Sequence, residues 1–311
     1  MIKTETPAKI DFTPISLADK ASYESALAKD GDRGCEFSFA NLYLWGEQNF
    51  FRLPDMTLIF SQFGRVRIYP YPVGSGDKKA AVEAILADAR ARGIPCRIMG
   101  LSNGAMEELE ALFPGRFRFH CNEGSSDYVY DIHDLADLKG KKYHAKRNHL
   151  NRFTEAVPNY RVEPLNEQNL SRVKQMAERW YASRTAEDPT QDFRMEQEAL
   201  YKAFCDYRAL EMEGLVLLDG EEVLAFTLAS RLTRDTFDVH FEKARSDIQG
   251  TYTAINYHFA RYIREKYPEV RYLDREEDMG IEGLRKAKQS YYPHHRIHKC
   301  SARLAEECHE N

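Results

Sequence analysis

Residues 236–274 read TFDVHFEKARSDIQGTYTAINYHFARYIREKYPEVRYLD. TFDVHFEKA has the aromatic and β-branched content of a strand, TYTAINYHFARYIREKY carries apolar residues at helical spacing, and VRYLD returns to strand composition. Two strand-like runs precede it, GLVLLDG and EVLAFTLASRL, so a three-strand meander leads into a long helix and a further strand. Before the meander stand the strand YRVEPL and two amphipathic helices, NLSRVKQMAERWYASR and MEQEALYKAFCDYRAL. After VRYLD come the turn-rich REEDMGIEGLRKAK and a final strand near HRIHKCSARL.

The first half follows the same order with almost no repeated letters. KIDFTPI reads as a strand, LADKASYESALAK and FSFANLYLWGEQN as helices, and FFRLP, MTLIFSQF and VRIYPYPVG as a meander. DKKAAVEAILADARARG is a helix opened by Asp77 and stopped by Gly93. PCRIMGLS, GAMEELEALFPG, RFRFHC and DYVYDI then supply strand, helix, strand and strand. Two copies of one unit explain this order, with domains expected at 1–135 and 136–311. A long helix crossing from an antiparallel meander to a further strand resembles the layout of the N-acetyltransferase (GNAT) fold. The expected class is therefore mixed α/β (α+β) with two tandem GNAT-like domains, an analogy that fixes no chemistry.

The chain's 311 residues suit two domains, and 43% hydrophobic with 30% charged residues is the composition of a globular protein. No stretch approaches the ~20 apolar residues of a membrane-spanning helix. MIKTETPAKIDFTPI has no apolar signal-peptide core, so the expected location is the cytoplasm. Cys35, Cys96, Cys121, Cys205, Cys300 and Cys308 never form a C-x-x-C pair and are expected to be reduced, mostly buried thiols.

Charge is distributed unevenly. Between Lys139 and Phe153 the segment KGKKYHAKRNHLNRF holds six bases and no acid, in a chain of formal net charge −5. Without that segment, 38 Lys and Arg face 49 Asp and Glu. On a helix, Lys141, Lys142, Lys146 and Arg152 fall within an arc of roughly 140° at about 100° per residue, so one face is cationic. Arg147 falls beside Tyr143 and Leu150, and a half-buried guanidinium needs an anionic partner from the protein or a ligand. A solvated face at a domain junction is one reading. The missing i,i+4 acids and the interleaved Tyr143, His144, His149 and Phe153 favour another, a surface for a polyanion with stackable or apolar parts: tRNA, a nucleotide-linked substrate or an anionic lipid headgroup.

A second charged motif, YLDREEDMGIEGLRKAKQSYYPHH, places Asp274, Glu276, Glu277 and Asp278 at a strand end. Gly280 and Gly283 follow in a turn, then Arg285, Lys286 and Lys288 on a short helix. The acids could bind an amine or act as a general base, and the bases could hold phosphate; an internal salt-bridge network would use the same residues. Taken together, GKKYHAKRNHLNRF and DREEDMGIEGLRKAKQSYYP resemble the signature of the phosphatidylglycerol lysyltransferase C-terminal domain family. That resemblance implies two GNAT units in tandem, a build similar to the Fem-type aminoacyltransferases, and transfer of an aminoacyl group from aminoacyl-tRNA. It makes Glu277, Asp278 and Arg285 the expected catalytic set, with Glu277 or Asp278 orienting the acceptor or the aminoacyl ammonium. Lys142, Lys146, Arg147, Arg152, Gln249, Gly250, Thr251, Lys286 and Lys288 are the expected binding set. The expected co-substrate is aminoacyl-tRNA, and the acceptor an anionic or nucleotide-linked hydroxyl or amine compound.

Acetyl transfer from acetyl-CoA is one alternative, but DIQGTYTA matches the R/Q-x-x-G-x-G/A phosphate grip only at Gly250. A non-catalytic module that holds tRNA or another polyanion is the other. PHHRIHKC brings His294, His295, His298 and Cys300 close together in sequence without a second ligand pair, so no metal is expected. Trp45 and Trp180 are expected in the core.

Overall fold

A computed structural model describes residues 9–30 and 33–306; Cys308 lies outside them. Its elements are, in chain order, β1 (Thr13–Pro14), α1 (Lys20–Leu27), α2 (Phe39–Leu44), β2 (Glu47–Leu53), β3 (Met56–Phe63), β4 (Val66–Pro70), β5 (Val73–Gly74), α3 (Lys78–Arg92), β6 (Arg97–Leu101), α4 (Asn103–Leu112), β7 (Phe117–Cys121) and β8 (Asp127–Asp131). There follow α5 (Ile132–Asp137), α6 (His144–Ala156), β9 (Arg161–Pro164), α7 (Glu167–Glu187), α8 (Arg194–Asp206), β10 (Glu213–Asp219), β11 (Glu222–Thr233), β12 (Thr236–Ala244), α9 (Thr251–Lys266), β13 (Tyr272–Asp274), α10 (Glu282–Gln289), β14 (His295–Ile297) and β15 (Cys300–Leu304).

These elements make two mixed sheets. The first runs β1-β2-β3-β4-β6-β15-β7, with β5 also on β3; the second runs β14-β8-β13-β12-β11-β10-β9. In each, a meander (β2–β4 or β10–β12) passes through a helix (α3 or α9) to a strand parallel to the meander's last member, β6 on β4 and β13 on β12. Antiparallel neighbours can be joined by a tight hairpin, whereas a parallel pair requires a crossover, here a helix in both copies. The repeated order read from the sequence is thus a repeated topology.

The chain divides into two compact units. One comprises the described residues up to Asp127, Glu277–Gly280 and those from Ile297 on; the other comprises Tyr128–Glu276 and Ile281–Arg296. The two sheets exchange strands. β15 lies between β6 and β7 in the first sheet, and β8 lies between β13 and β14 in the second. The run HRIHKCSARL, expected as one strand, is therefore two, β14 and β15, divided between the sheets.

Local chemistry explains the helix boundaries. Asp77 caps α3 by accepting from the Ala80 N–H at 3.0 Å, and Gly93 ends it at φ 66°, a left-handed geometry that glycine adopts without strain. On α9, Ala254, Ile255, Phe259, Ala260 and Ile263 are buried and form one core with Leu215, Leu217, Phe237, Val239 and Leu273 of the strands. In the first unit, Phe37, Leu58, Ile59, Tyr69, Ile85, Ile98 and Leu109 are almost wholly buried.

The cysteines depart from expectation. Cys121 and Cys300 stand directly opposite each other across the β7–β15 ladder and form a disulfide. The 179 residues that separate them hid the pair from any spacing rule. Cys35 and Cys96 are buried thiols, as expected, whereas the Cys205 thiol is exposed.

Candidate active site

In the second unit, β11 and β12 pair without interruption until Leu228 faces Phe241 and Ala229 faces Val239, a register shift that sets His240 in a β-bulge. A bulge re-aims one side chain from an otherwise regular strand. The His240 ring stands with Nε2 2.8 Å from Ser230 Oγ on the neighbouring strand. Its Nδ1 lies 3.4 Å from Asp238 Oδ2 and 3.5 Å from Glu276 Oε1. The Asp238 and His240 side chains are fully buried, whereas that of Glu276 keeps 24% of its surface in solvent.

The backbone holds this constellation in place. Asp238 pairs with Asp274 across the parallel β12–β13 ladder, and Glu276 follows two residues later at φ 57°. The Glu276 N–H donates to Asp274 Oδ1 at 2.8 Å, and the Glu276 carbonyl accepts from the Tyr128 N–H at 3.1 Å. Lys288 Nζ donates to the carbonyls of Arg275 and Glu276, so one expected phosphate ligand instead secures the turn that carries Glu276. A carboxylate at Nδ1 keeps the imidazole proton on that nitrogen and leaves the Nε2 lone pair facing the Ser230 hydroxyl. The arrangement can pass a proton from a hydroxyl to an imidazole backed by carboxylates, the logic of general base catalysis.

The basic segment occupies a 3-10 turn and α6. Lys146 Nζ lies 2.6 Å from Ser290 Oγ and 3.6 Å above the Tyr291 ring. Burial, with help from the Arg275 charge, lowers the Lys146 ammonium to about 8. Arg275 pairs with Glu242 at 2.7 Å and stands over the Tyr130 and Tyr291 rings. Arg147 does not need the anionic partner expected of it, because its guanidinium donates to the carbonyls of Leu138 and Gly140 just beyond α5. Lys142 pairs with Asp134 at 2.8 Å, and Arg152 is exposed.

Gln249 is exposed, and Gly250 caps α9 at φ 92°. A Cβ on Gly250 would collide with the His149 carbonyl, so α6 passes directly against the start of α9. The Thr251 hydroxyl turns back to the Ile248 carbonyl at 2.7 Å. The His149 carbonyl lies close against the Gly250 backbone. On α10, Lys286 pairs with Glu282 and is exposed, and Arg285 is partly buried.

Glu277 and Asp278 fall in the first unit. Glu277 lies 3.0 Å from Lys299 Nζ, which also meets Asp127 at 2.7 Å and Glu36 at 3.2 Å. Burial disfavours the Lys299 charge, but Cys35, Glu36, Asp127 and Glu277 outweigh it and hold the ammonium well above its ordinary range. Asp278 is fully buried, with Oδ1 accepting the Gly280 N–H at 2.8 Å.

Two groups of side chains have the donor types for a metal ion among the described residues, Cys35 with Glu36 and Asp127, and Asp238 with His240 and Glu276. The Lys299 ammonium already stands among the carboxylates of the first. The PHHRIHKC residues are otherwise engaged: His294 Nδ1 contacts His295 Nδ1 at 2.9 Å, His298 contacts Ser126, and Cys300 is in the disulfide. Ser230, Asp238 and His240 escaped sequence reading because they lie in runs read only as strands. The available signal was D-x-H within FDVHF, whose other residues are apolar.

The family described as phosphatidylglycerol lysyltransferase, C-terminal, matches residues 30–303. A conserved protein of unknown function from Bacteroides thetaiotaomicron is 36% identical, with a TM-score of 0.88 over 95% of this chain and 99% of that one. L-PGS from Bacillus licheniformis shares 16% identity and a TM-score of 0.69 over 95% of this chain and 94% of that one. A tandem GNAT protein from the clavulanic acid biosynthesis pathway shares 10% identity and a TM-score of 0.50 over 94% and 98% of the two chains. An uncharacterized protein of Mycoplasmoides gallisepticum is 24% identical, and that match spans 55% of this chain and about half, 54%, of the relative. The fold is thus a tandem GNAT fold, as the element order implied, and no helix among the described residues is long and apolar enough to cross a membrane.

Proposed function

The chain belongs to the phosphatidylglycerol lysyltransferase C-terminal family, and from that premise we propose an acyltransferase that moves an aminoacyl group from aminoacyl-tRNA to a hydroxyl or amine acceptor. The observation that carries the reading is the imidazole of His240, placed by a bulge between Ser230 and two carboxylates. An aminoacyl ester is already activated, so the protein must position the acceptor and manage one proton. In the proposed step His240 Nε2 takes the acceptor proton, through the Ser230 hydroxyl, as the acceptor attacks the ester carbonyl. The new bond forms to the carbonyl carbon, the ester C–O bond breaks, and the imidazolium returns the proton to the tRNA ribose oxygen that leaves. Asp238 and Glu276 stabilise the imidazolium between these events.

Lys146, Arg152 and Lys142 on the basic segment, with Arg285 and Lys286 on α10, are proposed to hold the polyanionic donor. DIQGTYTA keeps only Gly250 of the common phosphate grip, which argues against acetyl-CoA as that donor.

Transfer of a labelled aminoacyl group from charged tRNA to hydroxyl and amine acceptors tests the proposal. His240→Asn should lower the rate by about 10²–10⁴-fold, the usual worth of a general base, while tRNA binding is unchanged. Wild-type transfer by that variant would remove His240 from the mechanism. Absence of transfer to any acceptor, with tRNA bound, would favour the non-catalytic module instead.

A further inference from the structure

Asp238, His240 and Glu276, all in the second unit, each bring one donor atom to within 4.8 Å of the other two. His240 Nδ1 stands 3.4 Å from Asp238 Oδ2 and 3.5 Å from Glu276 Oε1. Both separations exceed the about 2.7–3.2 Å of a direct N–H···O hydrogen bond. They match the edge of a tetrahedron drawn around zinc, roughly 3.3–3.6 Å for bonds of about 2.0–2.2 Å. The ring is also held as a metal-bound imidazole is held. Its other nitrogen, Nε2, lies 2.8 Å from Ser230 Oγ, the kind of outer partner that fixes which nitrogen is left for the ion. The Glu276 N–H donates to Asp274 Oδ1 at 2.8 Å, which anchors the third donor's backbone to β13. Two carboxylates and one imidazole make a set whose negative charge a dication offsets. Glu276 keeps 24% of its side-chain surface in solvent, so an ion has an entry on that side.

We propose that Asp238, His240 and Glu276 form a binding site for a divalent transition-metal ion of the zinc type. Imidazole nitrogen joined to carboxylate oxygen suits zinc, whereas calcium and magnesium take all-oxygen sites of six or more ligands. Three protein donors leave a fourth position for water. The ion takes the Nδ1 lone pair, and the ring proton moves to Nε2, which donates it to Ser230 Oγ. No imidazole lone pair then faces the hydroxyl, so His240 no longer accepts a proton. Zinc is thus an inhibitor that competes with the proton for one nitrogen. That consequence rests on the aminoacyl-transfer reading, whereas binding itself does not.

The test is a titration of the whole chain, stripped with EDTA, with cobalt(II) as a spectroscopic stand-in for zinc, followed by displacement of the cobalt with zinc. One equivalent should give the visible bands of nitrogen and oxygen ligation. No thiolate charge-transfer band should accompany them, which separates this site from the buried Cys35 and exposed Cys205 thiols. The bound ion should also raise the thermal midpoint. Ser230→Ala should weaken binding about tenfold, and Glu276→Gln by more than the about 10–100-fold that an outer partner is worth. Metal-free melts of both variants separate lost binding from lost folding. Under the transfer reading, zinc should stop aminoacyl transfer and EDTA should restore it. A thiolate band, no bound cobalt, or unchanged affinity in both variants would overturn the site, and undiminished transfer at saturating zinc would overturn the inhibition. Because binding is read without tRNA or acceptor, failure of the aminoacyl-transfer reading would leave the metal result standing.

Discussion

His258 gives the second unit an acid sensitivity that its surroundings explain. Its Nε2 lies 2.9 Å from the Tyr160 hydroxyl, and burial, reinforced by Arg261, lowers the imidazole from 6.5 to about 4. The unfolded chain therefore binds the proton first, and stability should fall as pH drops from about 6.5 toward about 4. Thermal midpoints across that interval should show the loss, and His258→Phe should remove its share of the slope. Lys299 poses the opposite case, since Lys299→Met leaves Glu36, Asp127 and Glu277 facing one another. Removing one partner of a buried ionic cluster costs about 3–5 kcal/mol, which a urea titration would register. Single residues were also where the sequence was least legible. Asp238 and His240 stand two apart in a buried strand, and only the register slip at Leu228 and Ala229 shows that the histidine leaves the ladder's alternation. The acids of the DREED run were visible, but nothing in their order revealed that Glu276 approaches a histidine while Glu277 approaches a lysine.

Helix α6 was visible as a cationic surface, and its bases divide by partner. Lys146 rests on Tyr291 and Ser290, Arg147 caps α5, Lys142 meets Asp134, and Arg152 is exposed. Periodicity could place those bases on faces, but it could not say which neighbouring helix end or ring each would meet. Arg152→Glu should therefore weaken polyanion binding without changing stability, whereas Arg147→Glu should lower both, as filter binding and thermal melting would separate. Where α6 meets α9, Gly250→Ala combines a left-handed φ of 92° with a clash against the His149 carbonyl. A loss of about 2–4 kcal/mol is expected from urea denaturation, the range for strain joined to overpacking. The helix boundaries set by Asp77 and Gly93 were readable because caps and left-handed stops are local chemistry.

The repeated order of elements held for the whole molecule because periodicity and turn residues report each element in isolation. Strand exchange did not show, since which strand sits between which others depends on pairings such as Tyr272 with Asp131 and Arg303 with Arg97, far apart in the chain. A cut at 135/136 takes β15 from the first sheet and β8 from the second. Residues 1–135 and 136–311 expressed separately should each fail to give a cooperative melt, and co-expression should restore one. Two independent melts would show that the exchanged strands are dispensable.

The place of β15 between β6 and β7 also sets a condition on biosynthesis. While the nascent chain emerges from the ribosome, β7 has no neighbour to close on until Cys300–Leu304 appears, so the unit translated first is among the last to be finished. A polypeptide released early, at any point before that strand, carries an open sheet with two unpaired internal edges. Such fragments should be taken by chaperones and proteases, so the topology lets the cell distinguish complete chains from truncated ones.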